Sequence, residues 1–177
     1  MSNNKVEIPK KILNQKLLPF LILFFIFIFT DFINSYAQPE NPPAPMIVTK
    51  IRDMSFGAFA QGIAGGSVTI DPYGVRSSSG DIILLNLGYL YYPAIFEVDI
   101  NPGTVINLTL GSKISLVDEI TGHSMELELN SIYPNTPYVV PTEETQFFIG
   151  GILSVGNNLD NPSGTYIGTF SVIFYQE

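Results

Sequence analysis

Apolar and polar residues alternate with a period of two in several short segments of the chain. The clearest of these segments are 94–100, 106–110 and 125–129. In the first, Phe96 and Val98 share one face of an extended chain, while Glu97 and Asp99 share the other. This pattern predicts strands that bury one face and expose the other.

Clusters of turn-forming residues separate these segments at short intervals. They occupy positions 71–74, 77–80, 101–103, 111–112, 135–137 and 157–164. No stretch after Gln38 shows the period of a long helix. Short alternating strands between turns predict an all-β fold, an antiparallel sandwich or barrel.

The C-terminal segment alternates differently, because both of its faces carry large apolar side chains. Tyr166, Gly168, Phe170, Val172 and Phe174 fall on one face, and the residues between them on the other. We predict a single strand that is covered on both sides. The alternative is a strand that pairs with a partner molecule, since an uncovered apolar edge favours strand addition.

The chain begins with an export signal. Leu17–Phe29 is an unbroken apolar run with four lysines before it and the triplet Ser35–Ala37 after it. The run is shorter than the ~20 residues that a membrane-spanning helix needs. We therefore predict a cleaved signal peptide at 1–37, a proline-rich linker at 38–45 and a folded domain at 46–177. The protein is expected in the periplasm, on the cell surface or outside the cell, and only the signal peptide contacts a membrane, during export.

Charge and cysteine content exclude several kinds of function. The full chain carries a net charge of −8, and loss of the signal peptide makes it −10, because four lysines leave with Glu7 and Asp31. Such a surface repels phosphate backbones, so we expect no nucleic-acid partner. The chain has no cysteine, and His123 is its only histidine. Thiol catalysis and the usual zinc sites are thereby excluded, and we predict neither a cofactor nor a metal.

Five blocks of sequence resemble a known family. They are Met54–Gly57, Gly65–Ile70, Ala94–Val98, Phe148–Val155 and Gly164–Phe170. In their order and spacing they resemble an uncharacterised secreted bacterial family, domain of unknown function forty-four-oh-two. That family is similar to spore coat protein U and to chaperone-usher pilin subunits. The resemblance implies an immunoglobulin-like, pilin-like antiparallel β-sandwich without an established activity.

Two positions bear on the similarity to pilins. Pilin subunits commonly have a glycine fourteen residues from the C-terminus and an aromatic residue in the next-to-last position. Gly164 meets the first condition. The second condition is not met, because Gln176 is next to last and the aromatic Tyr175 lies one position earlier. Pilins also tend to contain a disulfide, which this chain lacks. The apolar pattern on both faces of the C-terminal segment, together with this similarity to pilins, gives a candidate interaction edge formed by Gly164, Tyr166, Gly168, Phe170, Val172 and Phe174.

Acidic residues raise the hypothesis of a glycoside hydrolase. Such enzymes place two carboxyl groups on either side of the bond that is cleaved. The candidates are Asp118 with Glu119 and Glu143 with Glu144. Neighbouring side chains in a strand or turn diverge, so we expect these acids to be solvated and not catalytic.

Two further groups of polar residues have an ordinary structural interpretation. Asn157, Asn158, Asp160 and Asn161 offer oxygen ligands for calcium, but their spacing fits no calcium loop, and Asn and Asp are frequent turn formers. His123 follows Thr121 and Gly122 without an evident nucleophile or orienting partner. We expect turn residues in both places.

The densest aromatic cluster is Tyr89, Tyr91 and Tyr92. Tyr89 and Tyr91 would share a face and form an aromatic platform for a sugar or a protein. We expect core packing instead, since aromatic residues dominate interiors.

The sequence thus predicts a non-catalytic exported structural or interaction protein. We expect a pilin-like or surface-coat subunit that binds a protein partner, or assembles with itself, through its C-terminal strand. The alternatives are a carbohydrate-binding module and a carboxylate-dependent glycoside hydrolase.

Overall fold

The computed structural model describes residues 45–177, which contain thirteen strands and no helix. The strands are β1 (Ile47–Arg52), β2 (Ser55–Phe56), β3 (Phe59–Ile70), β4 (Arg76–Leu84), β5 (Tyr91–Tyr92), β6 (Ala94–Asp99), β7 (Val105–Leu110), β8 (Ile114–Asp118), β9 (Ser124–Tyr133), β10 (Tyr138–Val139), β11 (Glu144–Val155), β12 (Tyr166–Ile167) and β13 (Val172–Gln176). Every strand pairing in this part of the chain is antiparallel. The prediction of an all-β, antiparallel fold is confirmed.

An eight-stranded sheet is organised around β11. The strand order is β1-β6-β11-β9-β8-β12, and the β3–β4 hairpin joins the sheet at β11. On one side, β11 pairs with β6 through residues 144–149 and then with β3 through residues 151–155. On the other side it pairs with β9 along most of its length. One strand therefore connects three others in the centre of the sheet.

The change of partner in β11 occurs at Gly150 and Gly151. A Cβ atom at Gly150 would lie 2.5 Å from the carbonyl oxygen of Ile70, and one at Gly151 would lie 2.9 Å from Leu127 Cδ1. The pairing with β9 also shifts register between these two glycines. Both positions therefore need the close backbone approach that only glycine permits.

A three-stranded sheet, in the order β10-β7-β13, packs on the large sheet. Aromatic rings connect the two, since Phe174 of β13 lies 5.6 Å from Phe147 of β11 and 5.7 Å from Phe96 of β6. Tyr138 of β10 meets the same Phe147 edge-on. One core cluster of buried apolar residues includes members of both sheets. Because the chain has no cysteine, burial of these apolar side chains and strand pairing hold the sheets together.

The alternating segments form strands with the predicted faces. Val98 of β6 and Ile106 of β7 are fully buried, while Asp99 is exposed. In β9, Met125, Leu127 and Leu129 are buried between exposed neighbours. The local period of two was therefore sufficient to assign these strands and their inner faces.

The prediction of a single C-terminal strand covered on both sides is wrong. Residues 166–167 form β12 at the edge of the large sheet, whereas residues 172–176 form β13 in the small sheet. In β13, Val172 and Phe174 are half-buried, but Ile173 is 62% exposed. The segment crosses from one sheet to the other, which a local pattern of side chains does not reveal.

The predicted turn at 77–80 is also wrong. Ser77, Ser78 and Ser79 lie in β4, where they pair with Thr69, Val68 and Ser67 of β3. The hydroxyl groups of Ser67 and Ser79 are hydrogen-bonded to each other at 2.8 Å. Cross-strand pairing therefore overrides the turn tendency of a serine run.

The predicted signal peptide at 1–37 and nearly all of the linker at 38–45 lie outside the described residues. Within residues 45–177, no helix is long and apolar enough to span a bilayer.

Candidate functional site

Strand β13 lies at the end of its sheet. It pairs with β7 through residues 172–176, and within residues 45–177 it pairs with no other strand. Its outward side chains Ile173 and Tyr175 are exposed, while Val172 and Phe174 pack against the core cluster. The second edge of β13 therefore combines backbone hydrogen-bonding groups with apolar side chains, which are the elements of strand addition.

The other predicted edge residues contact their own chain. Gly164 faces Asp118, and a Cβ atom at Gly168 would lie 2.7 Å from the carbonyl oxygen of Ser115 on β8. The ring of Phe170 lies 6.4 Å from that of Phe96. Tyr166 donates a hydrogen bond to the carbonyl oxygen of Pro162. The structure thus places Val172 and Phe174 on β13, the end strand of the small sheet. The segment that leads from the large sheet to the small one is held in place by the other four, Gly164, Tyr166, Gly168 and Phe170.

Asp118 is the most buried acidic residue of the described chain, with 2% of its surface exposed. Its carboxylate accepts hydrogen bonds from the Thr121 hydroxyl at 2.6 Å and from the Ile120 backbone N–H at 3.3 Å. The bond from Thr121 is the main cause of a lowered Asp118 pKa, which burial opposes. Burial and the charge of Asp118 together raise the pKa of Tyr166. The carboxylate caps its own turn, and no second acid adjoins it among these contacts.

The remaining acids of the hydrolase hypothesis lie elsewhere. Glu119 and Glu143 are exposed, and Glu144 lies opposite Asp99 at the far end of the β6–β11 pair. Asp118 pairs with Tyr166 at the edge of the large sheet. Neither Asp118 with Glu119 nor Glu143 with Glu144 is arranged as two carboxyl groups that face each other across a cleft, which a glycoside hydrolase would require.

The amide side chains at 157–161 shape their own loop. Asn157 Oδ1 accepts hydrogen bonds from the backbone N–H groups of Leu159 and Asp160. Asn161 is buried, accepts from the Gly156 N–H and donates to the carbonyl oxygen of Ser124. The side-chain oxygens of Asn157 and Asn161 thus accept hydrogen bonds from backbone N–H groups of their own loop. This is the role of turn residues, as the sequence predicted. Within residues 45–177, no group of three or more His, Cys, Asp or Glu side chains converges as a metal site would require.

His123 is exposed in the β8–β9 turn, and its Nδ1 donates a hydrogen bond to the carbonyl oxygen of Asp160 at 2.8 Å. This bond joins the turn to the 157–161 loop. The histidine is a turn residue, as predicted.

Tyr89 and Tyr91 are 70% and 45% exposed, so the expectation that they pack in the core is wrong. Tyr89 belongs to the connection between β4 and β5, in which Leu87 and Leu90 are exposed as well, and Tyr91 is the first residue of β5. We call residues 85–90 the apolar loop. The sequence signal for this surface is a run of large apolar residues that includes Gly88 and has no regular period.

Arg76 fixes both ends of this region, which sequence reasoning missed. Its Nη1 donates to the carbonyl oxygens of Phe56 and Ala58, and its Nη2 donates to that of Leu85. Its guanidinium group also lies 4.2 Å from the centre of the Tyr91 ring. A planar, five-donor cation is suited to this combination of carbonyl and ring contacts.

A second exposed pair of tyrosines was also missed. Tyr73, in the β3–β4 turn, packs against Tyr133 with the ring centres 5.1 Å apart and the ring planes tilted by 48°. Tyr133 pairs with Phe148 across the strands. Asp71 Oδ1 holds the turn by accepting hydrogen bonds from the N–H groups of Tyr73 and Val75. The two tyrosines are 60 positions apart, so only the pairing of strands brings them together.

The fold and these surfaces define an all-β, antiparallel protein without disulfides, whose described surface carries exposed apolar groups at a strand edge and in a loop. Residues 46–174 match the model of the family described as "Domain of unknown function (DUF4402)". The chain belongs to this family, as its sequence blocks indicated. No curated protein and no solved structure matches the chain.

Proposed function

We propose that this chain is an exported, non-catalytic structural or interaction protein that binds by strand addition at β13. In this proposal the two packed sheets form an immunoglobulin-like sandwich of the pilin type. The protein is then a subunit of a fibre or surface coat, located in the periplasm, on the cell surface or outside the cell. The alternating strands, the position of Gly164 and the predicted export signal support this proposal.

The observation that carries the proposal is the position of β13 at the end of the small sheet. A strand in this position has one row of backbone donors and acceptors beyond its partner β7, and an incoming extended segment would pair with that row. Ile173 and Tyr175 add exposed apolar surface on the same strand. An edge that is both unpaired and apolar favours association over solvation.

The test uses surface substitutions instead of truncation, because Val172 and Phe174 contribute to the core and their removal would unfold the protein. The full sequence is expressed, the exported product is purified, and its mass is measured by light scattering over a range of concentrations. Hydrogen exchange in the associated form is then measured at residues 172–176. We expect association that protects these amides, and Ile173→Lys should remove this protection and lower the mass reached, since lysine on an edge strand opposes pairing.

Ile120→Lys is the matched control, because Ile120 is an exposed isoleucine in a turn. It should associate like the unmodified protein. Unchanged association of Ile173→Lys, or equal exchange at β13 in the monomer and the associated form, would remove β13 as the binding edge.

Carbohydrate binding is the second candidate, and the exposure of Tyr89 and Tyr91 favours it. Exposed tyrosine rings stack on the apolar faces of sugars. Glycan-array binding that disappears in Tyr89→Ala and Tyr91→Ala would support this candidate, and binding that survives both substitutions would oppose it.

A further inference from the structure

The apolar loop is a second exposed apolar surface, separate from the unpaired edge of β13. Leu87, Tyr89 and Leu90 are 65%, 70% and 74% exposed, in a connection where polar side chains are usual. Three large apolar side chains within four positions form a projecting patch. Such a patch in a protein indicates an interaction site.

The loop is held in one shape at both ends. Arg76 Nη2 donates to the carbonyl oxygen of Leu85, and Ser55 Oγ donates to that of Leu90 at 2.8 Å. Beyond the loop, Tyr91 pairs with Phe56 in the short β2–β5 sheet. An anchored loop loses less conformational entropy on binding than a free one, so this patch is preorganised for association.

A cleft lies at the C-terminal end of β6, whereas the apolar loop lies near the start of this strand. It has a volume of about 460 Å³ and is lined by residues 100–104, which follow β6, and by 176–177 at the C-terminus. The apolar loop adjoins the start of β6 through β5 and Pro93. Because β6 has six residues, these two features are separated by a strand length of ~20 Å.

The charges at the two ends of β6 are opposite. At its start, Arg52 pairs with Ile95, and Arg52 and Arg76 lie over the rings of Tyr92 and Tyr91. Lys50 and Asp53 at this end form an ion pair with each other. At its far end, the exposed acids are Asp99, Glu143, Glu144 and Glu177. The loop end is therefore basic and the cleft end acidic.

We propose that the protein associates with a second copy of itself head to tail, with the apolar loop of one copy in the cleft of the next. A projection and a pocket at different places on one molecule form a heterologous contact, which repeats without closing and produces a filament. The acidic rim of the cleft then faces the arginines at the base of the incoming loop, which fixes the polarity of the contact. The proposal rests on the proposed function as an assembling subunit, but its contact lies at the C-terminal end of β13, where Gln176 lines the cleft, and does not use the unpaired edge of that strand.

The test is made in the Ile173→Lys background, so that association at β13 does not contribute. It compares a loop variant, Tyr89→Ser with Leu90→Ser, and a cleft variant, Asn101→Lys with Glu177→Lys. Both change exposed side chains, and circular dichroism checks that each variant is folded. Leu159→Ser is the control, because Leu159 is 84% exposed in a different loop. Sedimentation velocity of the exported product measures mass as a function of concentration.

In this background, we expect the protein with an intact loop and cleft, and the Leu159→Ser control, to form a series of oligomers, and each of the two test variants to be monomeric. An equimolar mixture of the loop and cleft variants should form a dimer, because one intact loop meets one intact cleft. Growth must stop there, since the remaining ends are both defective. This complementation distinguishes a head-to-tail contact from a symmetric one.

A mixture that stays monomeric, or an Ile173→Lys protein with intact loop and cleft that is monomeric at every concentration, would overturn the head-to-tail contact. Sedimentation of the unmodified monomer with phosphatidylcholine vesicles, lost in the loop variant, would instead assign the loop to a lipid surface. If Ile173→Lys alone is monomeric while the protein without this substitution associates, this contact fails and the proposed function at β13 stands.

Discussion

The carboxylate of Asp118 occupies the space beside Gly164 that any other residue would need for its side chain. An ideal Cβ atom at position 164 would lie 2.5 Å from Asp118 Oδ2 and 2.9 Å from Asp118 Cγ. Asp118 cannot easily move, because the Thr121 hydroxyl and the Ile120 N–H hold it in its turn. The glycine at this position is therefore a packing requirement of the β8–β9 turn.

Gly164→Ala should lower the free energy of unfolding by roughly 1–3 kcal/mol, the usual cost of overpacking. Urea denaturation measures this change, with Ser163→Ala as a neighbouring exposed control. The loss should be smaller when Gly164→Ala is made in an Asp118→Ala background, because the clash is then absent. Additive losses in the double variant would show that Asp118 is not the obstacle.

Thr121→Val should reduce stability at neutral pH but not in acid. Hydrogen bonds lower the pKa of Asp118 in the folded state, with Thr121 as the largest cause. A carboxyl group with a lowered folded pKa adds stability above its unfolded pKa, near pH 4, and loses it as the pH falls through the folded value. The variant lacks the donor, so its deficit should shrink as the pH falls through this range.

Thr142→Val provides the control for this experiment. Thr142 Oγ1 donates to the carbonyl oxygen of Glu144, which does not titrate, so any loss of stability should not depend on pH. Denaturation curves at several pH values compare the two variants. A Thr121→Val deficit that is equal at pH 7 and pH 3 would contradict the role of the hydroxyl in lowering the pKa.

Local patterns in the sequence predicted what local forces determine. The faces of β6 and β9 follow from alternation, and the Asp71–Gly74 turn follows from residues that favour it, with a positive φ of 82° at Gly74. These features depend on residues close together in the chain.

Long-range pairing determined what the sequence did not predict. The division of 166–176 between two sheets depends on β8 and β7 as partners, not on its own alternation. The exposure of Tyr89 depends on where Arg76, thirteen positions earlier, anchors the apolar loop. Of the residues predicted for the edge, Val172 and Phe174 therefore lie on the end strand β13, whereas the others contact their own chain. Binding of a partner at this edge stays a prediction.

Arg76→Lys should release the apolar loop. Lysine cannot reach the carbonyl oxygens of Phe56, Ala58 and Leu85 at once, because it has no planar fork of donors. We expect a stability loss of about 1–3 kcal/mol from unsatisfied carbonyl groups. Hydrogen exchange should also become faster at residues 85–91.

Arg52→Lys is the comparison for this prediction. Arg52 makes one long hydrogen bond, of 3.4 Å, to the carbonyl oxygen of Pro93, in addition to its contact with Tyr92. Its replacement should have a smaller effect on stability and none on exchange in the loop. Similar effects of the two substitutions would mean that the carbonyl contacts of Arg76 do not hold the loop.

The two faces of β13 should respond differently to truncation of their side chains. Phe174 lies between Phe96 and Phe147, so Phe174→Ala removes ring contacts with both strands beneath it and should cost about 3–5 kcal/mol. Ile173→Ala changes an exposed side chain and should stay within ~0.5 kcal/mol. Urea denaturation of both variants tests this difference, and equal losses would mean that Ile173 is covered in the protein as purified. In that case a partner or a second copy already occupies the outer face of β13, and dilution of the sample should restore the difference.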